Sequence, residues 1–387
     1  MDSPGFEPGA TGRVEGTPLS PPGTYQHGSS TKASTSPDPA PVAGPPMTAI
    51  HGLESMSPEK GVQTYIRSRE SELAQSTLYE HTTRLNRFLE WCDENGVDDL
   101  NDLDSRTCRD YLTARQDEVA PTTLENEMRT FRLAVEEWET INAVVRDLSK
   151  DVKVPTAKKG DQSRHVKIDP DHAEAILKFL SKYEYARFKH VLFVLLWKTG
   201  ARTGGVRALD LGDFYPDEYR RPVVSFHHRP ETGTPLKNDR WGEREVPISE
   251  EAGEMIQDYI NDFRPDVTDE NGREPLLTTK QGRPQKTTVQ RNIYGLTRPC
   301  YINAECPENK DPDKCEWTSY NQSSKCPDSV APHAVRRGFV THMRSKGADF
   351  DTIGDRVDAT SEVLRKHYDT PTPQEKRDRQ MEWADKL

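Results

Sequence analysis

"PHAVRRGFVTHMRSKGADFDTIGDRVDATSEVLRKHYD", residues 332 to 369, decides the reading of this chain. Its first part, "PHAVRRGFVTHM", predicts a helix in which His333 and Arg336 stand three apart and share a face. Such a pair sets an imidazole and a guanidinium beside the same anion. The plain alternative is a helix with scattered charges. Its last part, "SEVLRKHYD", predicts a short helix bearing Tyr368, an aromatic residue in a polar stretch with little core to fill. The phenol is either a surface group or a reactive one, and the rest of the chain has to choose.

Working upstream, "TGARTGGVRALDLGDF" places Arg202 just past a glycine helix stop, at the mouth of the next helix. A guanidinium there offers a planar fork suited to phosphate. "DPDHAEAILKFLSKY" and "YARFKHVLFVLLWKTG" read as helices, the second ending at Gly200. "RPVVSFHH" and "EREVPIS" read as strands flanking a polar turn, "TPLKNDRWG", that carries Lys237. Lys198 and Arg240 compete with Lys237 as the cation of that region.

Further upstream the periodicity is helical. "STLYEHTTRLNRFLEWCDENG" has Thr77 and Glu80 at capping-box spacing, Leu78, Leu85, Phe88, Leu89 and Cys92 largely on one face, and Asn95-Gly96 as its stop. "PTTLENEMRTFRLAVEEWETI" spaces Leu124, Met128, Phe131, Val135 and Trp138 four, three, four and three apart, an amphipathic helix. Residues 58–146 read as a small helical bundle, 147–167 as a polar linker, 168–372 as a second domain and 373–387 as a tail. Residues 1–57 are dominated by Pro, Gly, Ser and Thr and read as disordered; Met47 is an alternative start. The expected class is mainly α with a small antiparallel sheet, an α+β fold.

The net charge is −11, which on its own argues against a nucleic-acid partner. The charge is unevenly spread, however: residues 285–346 carry ten Lys/Arg against six Asp/Glu. An acid-rich surface also suits high salt, where a Debye length of about 3 Å at 1 M screens distant repulsion. No apolar run reaches the roughly 18 residues of a bilayer span, and the N-terminus has no basic-then-apolar pattern, so a cytoplasmic protein is the default.

Taken together, the order Arg202, Lys237, His333-x-x-Arg336 and a late Tyr368 resembles the tyrosine recombinase (phage integrase) family. "TGAR…AL.L.DF", "PHAVRRGFVTHMRSKGADFDTIGDRV" and "VLRKHYD" look like its two arginine motifs and its nucleophile motif, and residues 58–146 are similar to its core-binding domain. The chain most resembles integrase-like proteins of halophilic archaea. This resemblance implies a site-specific recombinase acting on double-stranded DNA. Tyr368 would attack a phosphate and form a 3′-phosphotyrosine, and Arg202 and Arg336 would hold the non-bridging oxygens. Lys237 would protonate the leaving 5′-oxygen, and His333 would serve as base or hydrogen-bond donor. No metal or nucleotide is needed for this chemistry, and a homotetramer on two duplexes is the implied assembly. The tail "QEKRDRQMEWADKL" would dock on a neighbour through Met381, Trp383 and Leu387, or else is a solvated helix. Asp358 stands where the family has His or Trp, and an ionised carboxylate does not donate to phosphate. Asp358 either supports the site or weakens that step, with His367 as a substitute. A non-catalytic DNA-binding protein of the same fold and a type IB topoisomerase-like relaxase are the alternatives.

Four of the six cysteines, Cys300, Cys306, Cys315 and Cys326, fall in one polar stretch with no histidine among them. A Cys₄ structural zinc site would clasp that stretch, although the spacing lacks C-x₂-C pairs. Free thiols and two disulfides are the other readings, the latter disfavoured in a reducing cytoplasm. A zinc hydrolase is remote, because no His/Asp/Glu ligands accompany the cysteines.

Overall fold

The computed structural model describes residues 52–158, 166–217, 220–367 and 373–384. The chain packs around two separate apolar cores.

The first core belongs to a helical body: α1 (Pro58–Arg69), α2 (Gln75–Asn95), α3 (Ser105–Gln116), α4 (Pro121–Thr140) and a single-turn α5 (Leu148–Asp151). Leu124, Met128, Phe131, Val135 and Trp138 of α4 are all buried, as their spacing requires. Phe88 meets Phe131 with ring centroids 4.7 Å apart and Tyr111 edge-on at 5.3 Å, so aromatic rings fill the centre. Gly96 ends α2 in the left-handed region at φ 67, where the Asn95-Gly96 stop was expected. Two sequence expectations fail here. The helix α2 begins at Gln75 with Ala74 as an N-cap that makes no side-chain bond, so Thr77 lies inside the first turn and there is no capping box. Leu148 and Val152 pack into this core, because the turn of α5 faces them inward, so the segment from 147 is not free linker from its start.

The second core is built on α7 (Phe188–Thr199), preceded by α6 (Pro170–Tyr183). Nine of the twelve residues of α7 are buried. A helix apolar on every side has to sit in the middle of a body. Gly200 caps it at φ 63, and α8 (Thr203–Ala208) follows at once. Three antiparallel strands, β1 (Phe214–Tyr215), β2 (Val223–Phe226) and β3 (Arg244–Pro247), pair in the order β1-β2-β3, with Val224 opposite Val246 and Phe226 opposite Arg244. The 227–243 connection between β2 and β3 projects from the sheet. Then come α9 (Glu250–Asp258), α10 (Lys286–Leu296), α11 (Pro332–Ser345), α12 (Phe350–Val357), α13 (Ser361–His367) and α14 (Pro373–Ala384). The fold is mainly α with a small antiparallel sheet. Among the described residues no helix is long and apolar enough to cross a membrane.

Candidate functional site

One cleft of about 380 Å³ is lined by Arg202, Lys237, His333, Arg336 and Asp358. These five come from segments as far apart as the start of α8 and the end of α12, and the fold alone gathers them. Arg202 is the N-cap residue of α8, presented by the glycine turn that ends α7. That turn needs glycine: φ is +63, and a Cβ at Gly200 would overlap the Phe339 ring and Val357. Arg336 is 1% exposed, and its Nη1 donates to the carbonyls of Gly200 and Val357. It therefore ties the turn before Arg202 to the residue before Asp358. His333, one turn earlier on α11, is exposed at the cleft wall.

Asp358 caps α12 in left-handed backbone, φ 58 and ψ 67. Both its oxygens are engaged: Arg202 Nη1 donates to Oδ2 at 2.6 Å, and the Asn238 amide donates to Oδ1 at 2.8 Å. Asn238 follows Lys237, so Asp358 tethers the β2–β3 connection as well as Arg202. A side chain at Gly242 would come within 3.0 Å of Asp358 Oδ2, so the connection passes close over the carboxylate. Among the competing cations, Lys198 lines a different cavity beside Glu174 and Glu251, and Arg240 is not part of the cleft wall.

Sequence reasoning missed Arg244 and Lys286, which also line the cleft. Arg244 shares an inward face of β3 with buried Val246, so strand alternation was the signal that could have found it. Its guanidinium lies 4.3 Å over the Phe226 ring and donates to the carbonyls of Arg356 and Gly242, each at 2.8 Å. Burial pushes its pKa down to about 10; the Asp358 charge opposes this, while Arg336, Arg202 and Arg356 push it further down. It stays charged at neutral pH. Five cationic side chains and two carboxylates, Asp239 and Asp358, line the cleft of a chain that is −11 overall. Ser76 and Thr77 of α2 form part of its wall, so the helical body borders the site. The arrangement is an anion-binding cleft, with an imidazole and an ammonium beside paired guanidiniums.

Tyr368, His367's side chain, Trp383's side chain and Leu387 lie outside the described residues. α13 ends at His367, with Leu364 buried in the second core. Met381, on α14, is 57% exposed. None of the six cysteines is in a disulfide. Cys300, Cys306, Cys315 and Cys326 line one small cavity of their own, away from the cleft. Among the described residues no three metal-ligating side chains are drawn to the spacing of a bound ion.

The family profile described as "Phage integrase, N-terminal SAM-like domain" matches residues 64–132. Among solved structures, the Tn1549 transposon integrase in complex with circular intermediate DNA is similar over 84% of this chain and 99% of that one, at 18% identity and a TM-score of 0.56. A lambda integrase dimer bound to a COC′ core site is similar over 81% of this chain and 77% of that one, at 12% identity and a TM-score of 0.55. The N-terminal domain of a phage integrase/site-specific recombinase from Haloarcula marismortui is 30% identical over 26% of this chain and 99% of that one, with a TM-score of 0.26. No curated protein matches the chain by sequence. Residues 64–132 thus match the N-terminal SAM-like domain of phage integrases, and the chain around the cationic cleft shares the fold of the Tn1549 and lambda integrase structures.

Proposed function

We propose that the chain is a site-specific DNA recombinase that cuts and rejoins DNA through a 3′-phosphotyrosine. The observation that carries this is the shared cleft of Arg202, Lys237, His333 and Arg336, four groups with complementary tasks in phosphoryl transfer. Double-stranded DNA is the substrate class of this reading; the similar Tn1549 transposon integrase is in complex with circular intermediate DNA, and the similar lambda integrase dimer is bound to a COC′ core site. Two helical and mixed bodies bordering one cleft suit a duplex held between them.

In this reading the Tyr368 phenol oxygen attacks phosphorus and the P–O5′ bond breaks. Arg202 and Arg336 hold the non-bridging oxygens and offset charge that grows in the transition state. His333, exposed at the wall, takes the phenolic proton or donates to a phosphate oxygen, and Lys237 gives a proton to the departing 5′-oxygen. The 3′-phosphotyrosine keeps the bond energy until a 5′-hydroxyl attacks and reseals. Asp358 acts through Arg202 and the β2–β3 connection rather than on the phosphate, since its two oxygens are held by Arg202 and Asn238.

The test is covalent trapping. The protein is incubated in high salt with nicked duplexes that let the cleaved 5′ end diffuse away. A denaturation-resistant protein–DNA adduct with the parent and none with Tyr368→Phe is the expected result. A second reading, a DNA-binding protein of this fold without catalysis, draws on the carboxylate paired to Arg202. Binding without an adduct in either protein would support that reading instead.

A further inference from the structure

The segment between α10 and α11 lacks the apolar material that usually fixes so long a connection. Between 299 and 330 only Ser323 and Cys326 are buried, and the regular structure is three short 3₁₀ turns, Pro299–Ile302, Glu316–Thr318 and Ser323–Lys325. Connections longer than about 12–15 residues without secondary structure are uncommon in compact domains, so something else should hold this one.

Its four cysteines share one local geometry. The carbonyl of each accepts the backbone N–H three residues on: Asn303 to Cys300 at 3.3 Å, Asn309 to Cys306 at 2.9 Å, Thr318 to Cys315 at 3.0 Å and Ser329 to Cys326 at 3.2 Å. Every cysteine thus opens a turn. Two of them, Cys306-Pro307 and Cys326-Pro327, have proline at the second position, which presets the turn. Turns of this kind place a side chain and the following N–H groups toward the same point.

The four cysteines, with Pro299, Pro312 and Trp317, line one small cavity of about 10 Å³, room for a single small occupant. Two cations stand at its edge. Arg298 donates to the Trp317 carbonyl, and the Lys310 ammonium lies 3.4 Å over the Trp317 ring. A divalent ion with four thiolates carries two net negative charges, which these cations would offset; Asp328 opposes them. The remaining two cysteines lie elsewhere. Cys92 and Cys108 are packed in the helical core, where burial pushes each thiol up to about 12.

We propose that Cys300, Cys306, Cys315 and Cys326 form a closed four-thiolate site for one zinc-class divalent ion, which pins this connection in front of α11. Binding replaces four S–H bonds with four metal–sulfur bonds and releases the protons to solvent. The four thiols line one cavity but do not stand at the spacing of a bound ion, so binding draws them inward. All four positions are filled by protein, so the site is structural and leaves none open for substrate. Its effect is carried forward by chain connectivity. The turn at Cys326 leads to Val330, whose N–H donates to the Thr297 hydroxyl oxygen at 2.9 Å, and then into the helix that carries His333.

The experiment uses the full chain, purified under reducing conditions without chelator. Metal content is measured by plasma mass spectrometry, and zinc release is followed while thiols are titrated. One zinc per chain, freed in step with modification of four thiols, is expected. Cys306→Ser and Cys315→Ser should each lose it, while Cys92→Ser and Cys108→Ser should keep it. Because a serine variant can unfold locally, the unaltered chain is also reconstituted with cobalt(II), where the visible bands of a tetrahedral thiolate complex are expected. Reduced protein that holds neither zinc nor cobalt overturns the proposal. So do disulfides among the four cysteines found by peptide mapping, or zinc retained by both serine variants. None of these readouts depends on DNA cleavage, so the proposed recombinase activity stands or falls separately.

Discussion

Asp358→Asn removes the negative charge paired with Arg202 in the cleft. Asparagine keeps the side-chain shape and tolerates the left-handed backbone at φ 58, so little strain is added. The charge alone is removed. Arg202 Nη1 to Asp358 Oδ2 is a charge-assisted bond of 2.6 Å, with side chains 27% and 11% exposed. A hydrogen bond to a charged group contributes about 1.5–3 kcal/mol and a neutral one about 0.5–1.5. The variant should therefore be about 1 kcal/mol less stable. For a phosphate the sign reverses. Two unit charges repel by about 4 kcal/mol at 4 Å with an effective dielectric constant near 20. A phosphate on the far edge of the Arg202 guanidinium stands at roughly twice that separation, which halves the repulsion. Partial exposure and salt reduce it again, to on the order of 1 kcal/mol. That corresponds to roughly fivefold tighter DNA binding. Urea unfolding measures the first effect, and fluorescence anisotropy with a labelled duplex at two salt concentrations measures the second. A variant with unchanged stability and equal or weaker DNA binding at low salt would refute the reasoning, because the pair would then not exist in solution or not compete with phosphate.

Other expectations concern the frame of the cleft. Gly200→Ala forces a Cβ into left-handed backbone and into Phe339 and Val357; at about 1–2 kcal/mol for the backbone and about 1–3 for overpacking, urea unfolding should show a loss of about 2–5 kcal/mol. Arg336→Ala strips the Gly200 and Val357 carbonyls of their donor, and a loss of about 2–4 kcal/mol is expected by the same measurement, with Arg336→Lys intermediate. Burial lowers the pKa of His81, His190 and His342 below 6.5. The unfolded chain then binds protons that the folded chain refuses, so stability is fully present above pH 6.5 and falls as the pH drops below it. His190 Nδ1 accepts the Ala186 N–H at 3.2 Å, so His190→Gln should flatten part of that fall in urea midpoints taken at several pH values.

How far the sequence led depended on the range of the interaction. Helical spacing in α2 and α4 named core residues because burial acts on a face of one element. Gly96 and Gly200 were legible because positive φ leaves few other choices. The start of α2 was misread because Thr77 and Glu80 fit a cap that Ala74 pre-empts; the residue serves the cleft wall instead. Val152 joined the first core although its polar surroundings suggested linker. Arg202, Lys237, His333 and Arg336 were singled out by their order along the chain, which resembles a known family, and the fold brings them to one cleft. The pairing of Arg202 with Asp358 was not legible: the two are 156 positions apart, and no local rule couples them. Arg244 was overlooked because an inward arginine on a strand looks like an error until the cross-strand ring of Phe226 beneath it is known.

The most direct measurement is to map the covalent adduct. Protein trapped on a nicked duplex is digested with protease and nuclease, and the peptide that carries a nucleotide remnant is sequenced by mass spectrometry. The account predicts the remnant on the phenolic oxygen of Tyr368, with the adduct absent from Arg202→Ala. A remnant on any other residue, or an adduct that survives Tyr368→Phe, would contradict it.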